Sequence, residues 1–189
     1  MANWCSSTIQ IDCVDEKQAE NLGSLIERWI AHGDEGQRDA TLPHIVRSSG
    51  VGTVGTGEPT DLRCSGYITY TDVVGGTVTI DTETAWVPML RMWDLIIRKY
   101  APGARLFYTA IEPGGGICDT NIQEWAGKYY IDDFDYDTLY DADEAEAIKY
   151  LQGRLESKET DIKTLIDEFE DKGMGSAHQW DLTGIDIWD

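Results

Sequence analysis

Residues 66–83 read GYITYTDVVGGTVTIDTE, and this stretch decides the expected fold. Two runs rich in Thr, Val, Ile and Tyr, residues 66–73 and 77–83, flank Gly75 and Gly76. Paired glycines readily adopt the positive φ angles of a tight primed turn, so the pattern predicts a β-hairpin. The chain on either side of this hairpin alternates further strand and helix patterns.

The elements around the hairpin follow the order β-α-β-β-α-β. Residues 6–13 alternate apolar and polar side chains as a half-buried strand does, and residues 15–33 carry the apolar spacing of a helix. Beyond the hairpin, Pro88 precedes a second amphipathic helix, and residues 105–111 read as a buried strand. This order predicts an α+β, ferredoxin-like sandwich in which two helices cover one face of an antiparallel sheet.

The remaining segments predict additions to that core. Residues 33–65 are polar and rich in glycine, which indicates a long loop insertion. Two strand patterns between residues 117 and 134 indicate a small β extension, and two charged helices are predicted between 143 and 172. We therefore expect a ferredoxin-like domain over residues 1–135 and an acidic helical C-terminal extension over residues 136–189.

The charge of the chain restricts its partners. Its 189 residues include 35 acidic and 15 basic side chains, for a net charge of −20. Residues 132–189 alone hold 18 acidic and 5 basic residues. Phosphates repel such a surface, which argues against direct binding to nucleic acid or anionic lipid and favours basic proteins or cations. No apolar run approaches the ~20 residues of a membrane span.

The N-terminal sequence and the cysteines indicate a cytoplasmic setting. The opening residues MANWC lack the basic and apolar regions of a secretory signal. The four cysteines, Cys5, Cys13, Cys64 and Cys118, form no C-x-x-C pair and no zinc-ligand spacing with the histidines. We expect them to be reduced thiols that pack as small apolar side chains.

Three short motifs resemble one known family. Residues 1–6 (MANWCS), residues 80–88 (IDTETAWVP) and the segment from Tyr108 through Glu112-Pro113-Gly114 to Cys118 are similar, in order, to motifs of the YubB-type ferredoxin-like domain family. The resemblance covers about residues 1–135. Two positions depart from the family pattern, since Ala2 replaces a proline and Asp119 replaces a glycine.

The resemblance implies a ferredoxin-like fold and a home on phages, plasmids and other mobile elements in a bacterial host. It implies no established catalytic activity. The motif residues are either packing residues of the sheet or the lining of a ligand cleft at its end. The candidates for that cleft are Trp4, Cys5, Trp86, Glu112 and Cys118.

An acidic segment near residue 135 matches the spacing of an EF-hand calcium loop. Its loop positions 1, 3, 5, 7, 9 and 12 fall on Asp133, Asp135, Asp137, the Leu139 carbonyl, Asp141 and Glu144. The sixth position, normally glycine, is the β-branched Thr138, and the entering segment reads as a strand. The alternative interpretation is a solvated strand end with an acidic turn.

No catalytic signature stands out, and the chain is predicted not to be an enzyme. Residues 50–55 match G-x-G-x-x-G, but neither a strand before them nor a helix after them is indicated, so a surface loop is favoured over a dinucleotide site. The sequence therefore predicts an acidic interaction protein that binds and inhibits a basic nucleic-acid-binding or host-defence protein. The alternative is a module that binds calcium at residues 133–144 or a small ligand near Trp4 and Trp86.

Overall fold

The computed structural model describes residues 3–32, 38–57, 61–114 and 116–184. Within these ranges the chain is α+β, with a six-stranded sheet and a separate three-stranded sheet. The strands are β1 (Trp4–Asp12), β2 (Gly66–Val74), β3 (Thr77–Ala85), β4 (Arg105–Glu112), β5 (Ile117–Thr120), β6 (Tyr129–Asp133), β7 (Leu139–Ala142), β8 (Gly175–Gln179) and β9 (Asp181–Leu182). The helices are α1 (Glu16–Ala31), α2 (Leu42–Ser49), α3 (Leu90–Tyr100), α4 (Glu144–Leu155) and α5 (Ile162–Asp171).

The strongest local signals produce the predicted elements. The hairpin of β2 and β3 is confirmed, and Gly75 in its turn has φ +56°. Asp15 caps α1 by accepting a hydrogen bond from the Gln18 backbone N–H at 2.7 Å. The predicted helices α1, α3, α4 and α5 and strands β1 and β4 are confirmed within a few residues at their ends.

The six-stranded sheet has the order β2-β3-β1-β4-β5-β9. β1 lies in the middle, where Ile9 stands opposite Ile80 of β3 and Tyr108 of β4. In this order, each pair of neighbouring strands from β2 across the sheet to β5 is antiparallel, whereas β9 pairs parallel with β5. The four strands of the predicted sheet, β2, β3, β1 and β4, pair antiparallel as expected. The full sheet is mixed, because the chain after β8 returns alongside β5 in the same direction.

One face of this sheet carries the main hydrophobic core. Alternate residues of the central strands, including Ile9, Ile80 and Tyr108, are fully buried against α1, α2 and α3. Trp93 of α3 is also fully buried in this cluster. Burying the apolar alternation of three strands under amphipathic helices supplies most of the driving force for this part of the fold.

The segment expected to be a long loop contains a helix. Leu42, Ile45 and Val46 have helical spacing and are fully buried, a proline lies in the first turn, and Gly50 ends the helix at φ +61°. These local signals outweigh the polar composition of the segment, and α2 is the result. Residues 33–37 and 58–60 of the predicted loop lie outside the described residues.

The C-terminal part is not purely helical as expected. β6, β7 and β8 form a three-stranded sheet in the order β7-β6-β8, and α4 and α5 pack on it. Ile131, Leu151, Leu165 and Phe169 are fully buried in this second core. The sequence of β8, GSAHQ, has little strand character of its own, so this strand depends on pairing with β6 across more than 40 residues.

None of the helices in the described ranges combines the length and apolar character that crossing a membrane requires. The last five residues of the predicted extension, 185–189, lie outside the described part of the chain.

Candidate binding groove

The face of the large sheet that the helices leave open carries polar side chains. Ser6 and Thr8 of β1 stand opposite Glu83 and Asp81 of β3. The Ser6 hydroxyl donates to Oε1 of Glu83 at 2.6 Å, and the Thr8 hydroxyl donates to Oδ1 of Asp81 at 2.7 Å. These cross-strand bonds hold two carboxylates in place, two residues apart on the same face of one strand.

Aromatic side chains from beyond β5 form a wall beside this face. The rings of Tyr130 and Tyr140 pack edge to face with centroids 5.8 Å apart. The Trp180 ring lies 5.3 Å from that of Trp125 and 6.0 Å from that of Tyr130. Its Nε1 donates to the Tyr140 carbonyl at 2.6 Å. Trp180 is only 1% exposed, so it supports the wall from within.

The open sheet face and the aromatic wall enclose a groove of about 730 Å³. This volume lies in the range of roughly 300–1,000 Å³ that is typical of ligand pockets. Three carboxylates line the groove, and no Lys, Arg or His is among the described residues that do so. The lining residues are Trp4, Ser6, Ser7, Thr8, Gln10, Thr69, Asp81, Thr82, Glu83, Thr109, Ile111, Pro113, Ile122, Trp125, Tyr130, Asp132 and Tyr140. Carboxylates without compensating cations give the groove a negative potential, which attracts cationic groups.

The aromatic wall contains a polar group, the hydroxyl of Tyr130, that is available to bond a ligand. Tyr130 is 9% exposed, and its hydroxyl has no hydrogen-bond partner among the described residues. Burial, followed by the charge of Asp132, raises the pKa of Tyr130 far above its ordinary value. The hydroxyl therefore keeps its proton, and its oxygen is able both to donate and to accept a hydrogen bond.

The five residues of the predicted sheet-end cleft do not come together. Trp4 and Cys5 are neighbours in β1 and point to opposite faces of the sheet, so Trp4 lines the groove while Cys5 lies in the helix-covered core. Glu112 and Cys118 are buried and also face opposite sides, because Glu112 pairs with Ile117 and Cys118 with Ile111. The cleft as predicted was wrong, and only Trp4 belongs to the groove.

The two cysteines and Trp86 of the predicted cleft lie in surroundings that give no sign of a reactive site. Burial is the largest influence on both thiols and raises the pKa of Cys5 to about 11 and that of Cys118 to about 12. Neither is a thiolate near neutral pH, which argues against a nucleophilic role. Trp86 follows β3 with its ring 55% exposed and its backbone at φ +73°, an unusual conformation for a bulky residue.

The predicted calcium loop does not assemble a ligand set. Its first residue, Asp133, has a fully buried side chain that accepts hydrogen bonds from Arg154 Nε at 2.5 Å, Arg154 Nη2 at 3.1 Å and the Tyr150 hydroxyl at 2.8 Å. Asp135, Asp137, Asp141 and Glu144 spread from the β6–β7 turn to the start of α4. Nowhere in the described ranges do three or more His, Cys, Asp or Glu side chains stand where they could hold a metal. Because the segment enters from a strand and forms a β-hairpin, the helix-loop-helix geometry of an EF-hand is missing.

The G-x-G-x-x-G match at residues 50–55 lies at the C-terminal end of α2. Gly50 ends α2 rather than opening a helix, and the Lys99 ammonium donates to the Ser49 and Gly50 carbonyls at 2.9 and 3.0 Å. A phosphate site needs backbone N–H groups at a helix N-terminus, whereas this loop presents carbonyls at a C-terminus. This geometry favours the surface-loop interpretation of residues 50–55.

Two aspartates lie opposite each other where β9 pairs with β5. Asp119 of β5 and Asp181 of β9 stand opposite each other in the parallel pairing, and Asp119 is buried. Burial, followed by the charge of Asp181, raises the pKa of Asp119 to about 6. The pairing of β9 is therefore opposed by the burial of a charge at neutral pH.

Replacing Asp119 by asparagine is expected to stabilise the protein at pH 7.5 by about 1–3 kcal/mol. The folded pKa of Asp119 lies above its ordinary value of 3.8, so the native state binds the extra proton between pH 4 and 6. Stability is consequently lost as the pH rises through that window, and the asparagine variant escapes this loss. Urea unfolding of both proteins should show a difference that shrinks below about 1 kcal/mol at pH 4. An equal difference at both pH values would contradict the assignment.

Comparison of the chain with protein-family models, with curated proteins and with solved structures finds no match.

Sequence reasoning missed most of the groove. Asp81 and Glu83 alternate with the apolar residues of β3, so the pattern already placed them on the face away from the core. Their importance was hidden because the chain is acidic almost everywhere. Trp125, Tyr130 and Tyr140 lie 40 to 60 residues further along, and no local signal predicts that the chain turns back to set them beside β3.

Proposed function

We propose that the protein is a non-enzymatic interaction protein that binds a basic partner protein at this groove. The observation that carries the proposal is the lining of the groove, where three carboxylates stand beside four aromatic rings with no cation among the described lining residues. Aromatic residues at the centre of an interface and carboxylates around them are suited to cationic side chains of a partner. The net charge of −20 adds long-range attraction to any basic protein.

The fold and setting of the protein form the second part of the proposal. We propose that β1, α1, β2, β3, α3 and β4 are a ferredoxin-like unit. The strand order β2-β3-β1-β4 with antiparallel neighbours supports this, because it is the arrangement such a βαββαβ chain adopts.

The resemblance of residues 1–135 to the YubB-type family supports a setting on a mobile genetic element. The partner in that setting would be a basic nucleic-acid-binding or host-defence protein of the bacterial cell, and occupation of its basic surface would inhibit it. The excess of acidic residues over residues 132–189, 18 against 5 basic, would extend the contact beyond the groove.

Binding to purified basic proteins tests the proposal. Isothermal titration of the protein against a panel of basic bacterial DNA-binding proteins is expected to give micromolar or tighter binding to at least one of them in 50 mM NaCl. Raising the salt to 300 mM should weaken that binding by about tenfold or more, because the interaction is electrostatic. Duplex DNA should compete with the protein if the partner uses its nucleic-acid surface.

A matched pair of charge variants separates the groove from general acidity. Asp81→Asn with Glu83→Gln keeps the hydrogen bonds to Thr8 and Ser6 but removes two charges from the groove. Glu16→Gln with Glu20→Gln removes two charges from an exposed part of α1. We expect the groove variant to bind about tenfold more weakly and the α1 variant to change less than twofold. Equal losses in both variants, or no binding in 50 mM NaCl, would refute the proposal.

A further inference from the structure

The two carboxylates of the sheet face have the repeat of an extended peptide. Asp81 and Glu83 occupy alternate positions of β3, so they point the same way about 6.7 Å apart along the strand. Side chains at alternate positions of an extended ligand have the same repeat. A strand-like segment lying along the groove would therefore present every second side chain to this pair of acids.

The chemistry of the groove favours guanidinium groups over ammonium groups. Arg154 shows the arrangement within the protein itself, since its guanidinium lies 4.1 Å from the centre of the Tyr136 ring while it donates to Asp133. A planar guanidinium stacks on a ring and bonds a carboxylate in the same position, which a compact ammonium does less well. The groove offers the same combination of rings and carboxylates without an arginine to fill it.

Tyr130 supplies an independent sign that a polar ligand belongs here. Its side chain is more than nine-tenths buried, it lines the groove, and its hydroxyl has no hydrogen-bond partner in the described part of the chain. The ring is enclosed, but the hydroxyl oxygen is not among the fully enclosed polar atoms, so solvent reaches it through the groove. A guanidinium N–H of a ligand can replace that solvent by donating to the tyrosine oxygen.

We infer that the groove binds an extended segment of the partner protein with arginines at alternate positions, whose guanidinium groups meet Asp81 and Glu83 beside the aromatic wall. This inference rests on the proposed function and specifies the partner's chemistry at the same site. It distinguishes the partner from basic proteins that present clustered lysines or arginines on a helix.

Three synthetic peptides test the inference. Acetylated and amidated RSRSRS and RRSSRS have the same composition and charge, but only RSRSRS has arginines two positions apart, and KSKSKS keeps that spacing with lysine. Titration calorimetry in 50 mM NaCl is expected to show that RSRSRS binds about tenfold more tightly than RRSSRS and at least about threefold more tightly than KSKSKS.

Variants locate the binding. Asp81→Asn with Glu83→Gln should abolish the preference for RSRSRS, whereas Glu16→Gln with Glu20→Gln should retain it. Tyr130→Phe should weaken the binding of RSRSRS by severalfold without changing the circular dichroism spectrum of the protein. The single substitution Glu83→Gln should give an intermediate affinity. It keeps the test informative if the double variant folds poorly.

The outcomes separate this inference from the broader proposal. Equal affinities for RSRSRS and RRSSRS, both reduced by the groove variant, would overturn the alternate-arginine inference and leave a basic partner at the groove. If the groove variant does not change the peptide affinities, the assignment of binding to this groove is wrong. If none of the peptides and none of the basic proteins binds in 50 mM NaCl, the proposed function itself fails.

Discussion

Replacing Arg154 by alanine is expected to lower the free energy of unfolding by about 3–5 kcal/mol. The Asp133 side chain is fully buried, and Arg154 bonds both of its oxygens, at 2.5 and 3.1 Å. Burial alone would raise the pKa of Asp133, but the bonds from Arg154, the Asp135 backbone N–H and the Tyr150 hydroxyl hold it below its ordinary value. Removing the guanidinium leaves a buried charge with too little compensation.

The pH dependence gives this prediction a second measurement. In the wild type, the stability that Asp133 contributes is present above pH 4 and is lost as the pH falls through its lowered pKa. In Arg154→Ala the carboxyl becomes easier to protonate, so the deficit relative to wild type should shrink as the pH falls from 7 to 4. Urea unfolding at several pH values measures both quantities.

Asp133→Asn is the control for the ion pair. Combined with Arg154→Ala, it should recover part of the lost stability, because no unpaired charge is then buried. A loss below about 1 kcal/mol in Arg154→Ala, or a loss independent of pH, would show that the ion pair does not organise this part of the fold.

Replacing Trp180 by alanine is expected to lower stability by about 3–5 kcal/mol and to abolish binding in the groove. Trp180 is 1% exposed, packs on Trp125 and Tyr130, and lies directly before β9. Its backbone N–H donates to the Lys128 carbonyl at 2.8 Å and its ring Nε1 to the Tyr140 carbonyl at 2.6 Å. Losing the ring leaves a cavity behind the aromatic wall.

Trp86→Ala is the matched control, because it removes the same side chain from a position where the ring is 55% exposed. We expect a change below about 1 kcal/mol for that variant. Trp180→Phe should lose less than the alanine variant, since it keeps part of the packing and gives up the hydrogen bond. Near-ultraviolet circular dichroism and urea unfolding measure the effects, and similar losses at residues 86 and 180 would contradict the role assigned to Trp180.

Local patterns predicted the elements that carry their own signals. The alternation of β1, the glycines of the hairpin and the apolar spacing of α1 and α4 identified those elements, because each signal lies within a few residues. The helix α2 was missed although its proline, apolar spacing and terminal glycine were visible, since the polar composition of residues 33–65 was given more weight.

The candidate site was harder to predict than the fold. Trp4 lines the groove, but the predicted cleft grouped it with Cys5, and that grouping ignored the opposite directions of neighbouring side chains in a strand. Asp133 was read as a metal ligand because its partner, Arg154, lies 21 residues away in the sequence. The acidic spacing was real, but the surroundings of the carboxylate determine its role.

The sequence by itself determined the net charge, the βαββαβ order of the first part and which residues of each central strand face the helices. These properties depend on composition and on periods of two and 3.6 residues, which are local. Only the tertiary structure decided that β9 runs parallel to β5, that β8 completes a second sheet and that Tyr130, Tyr140 and Trp125 stand across from Asp81 and Glu83. Those placements depend on packing and pairing between distant segments, whose free energy no short stretch of sequence contains.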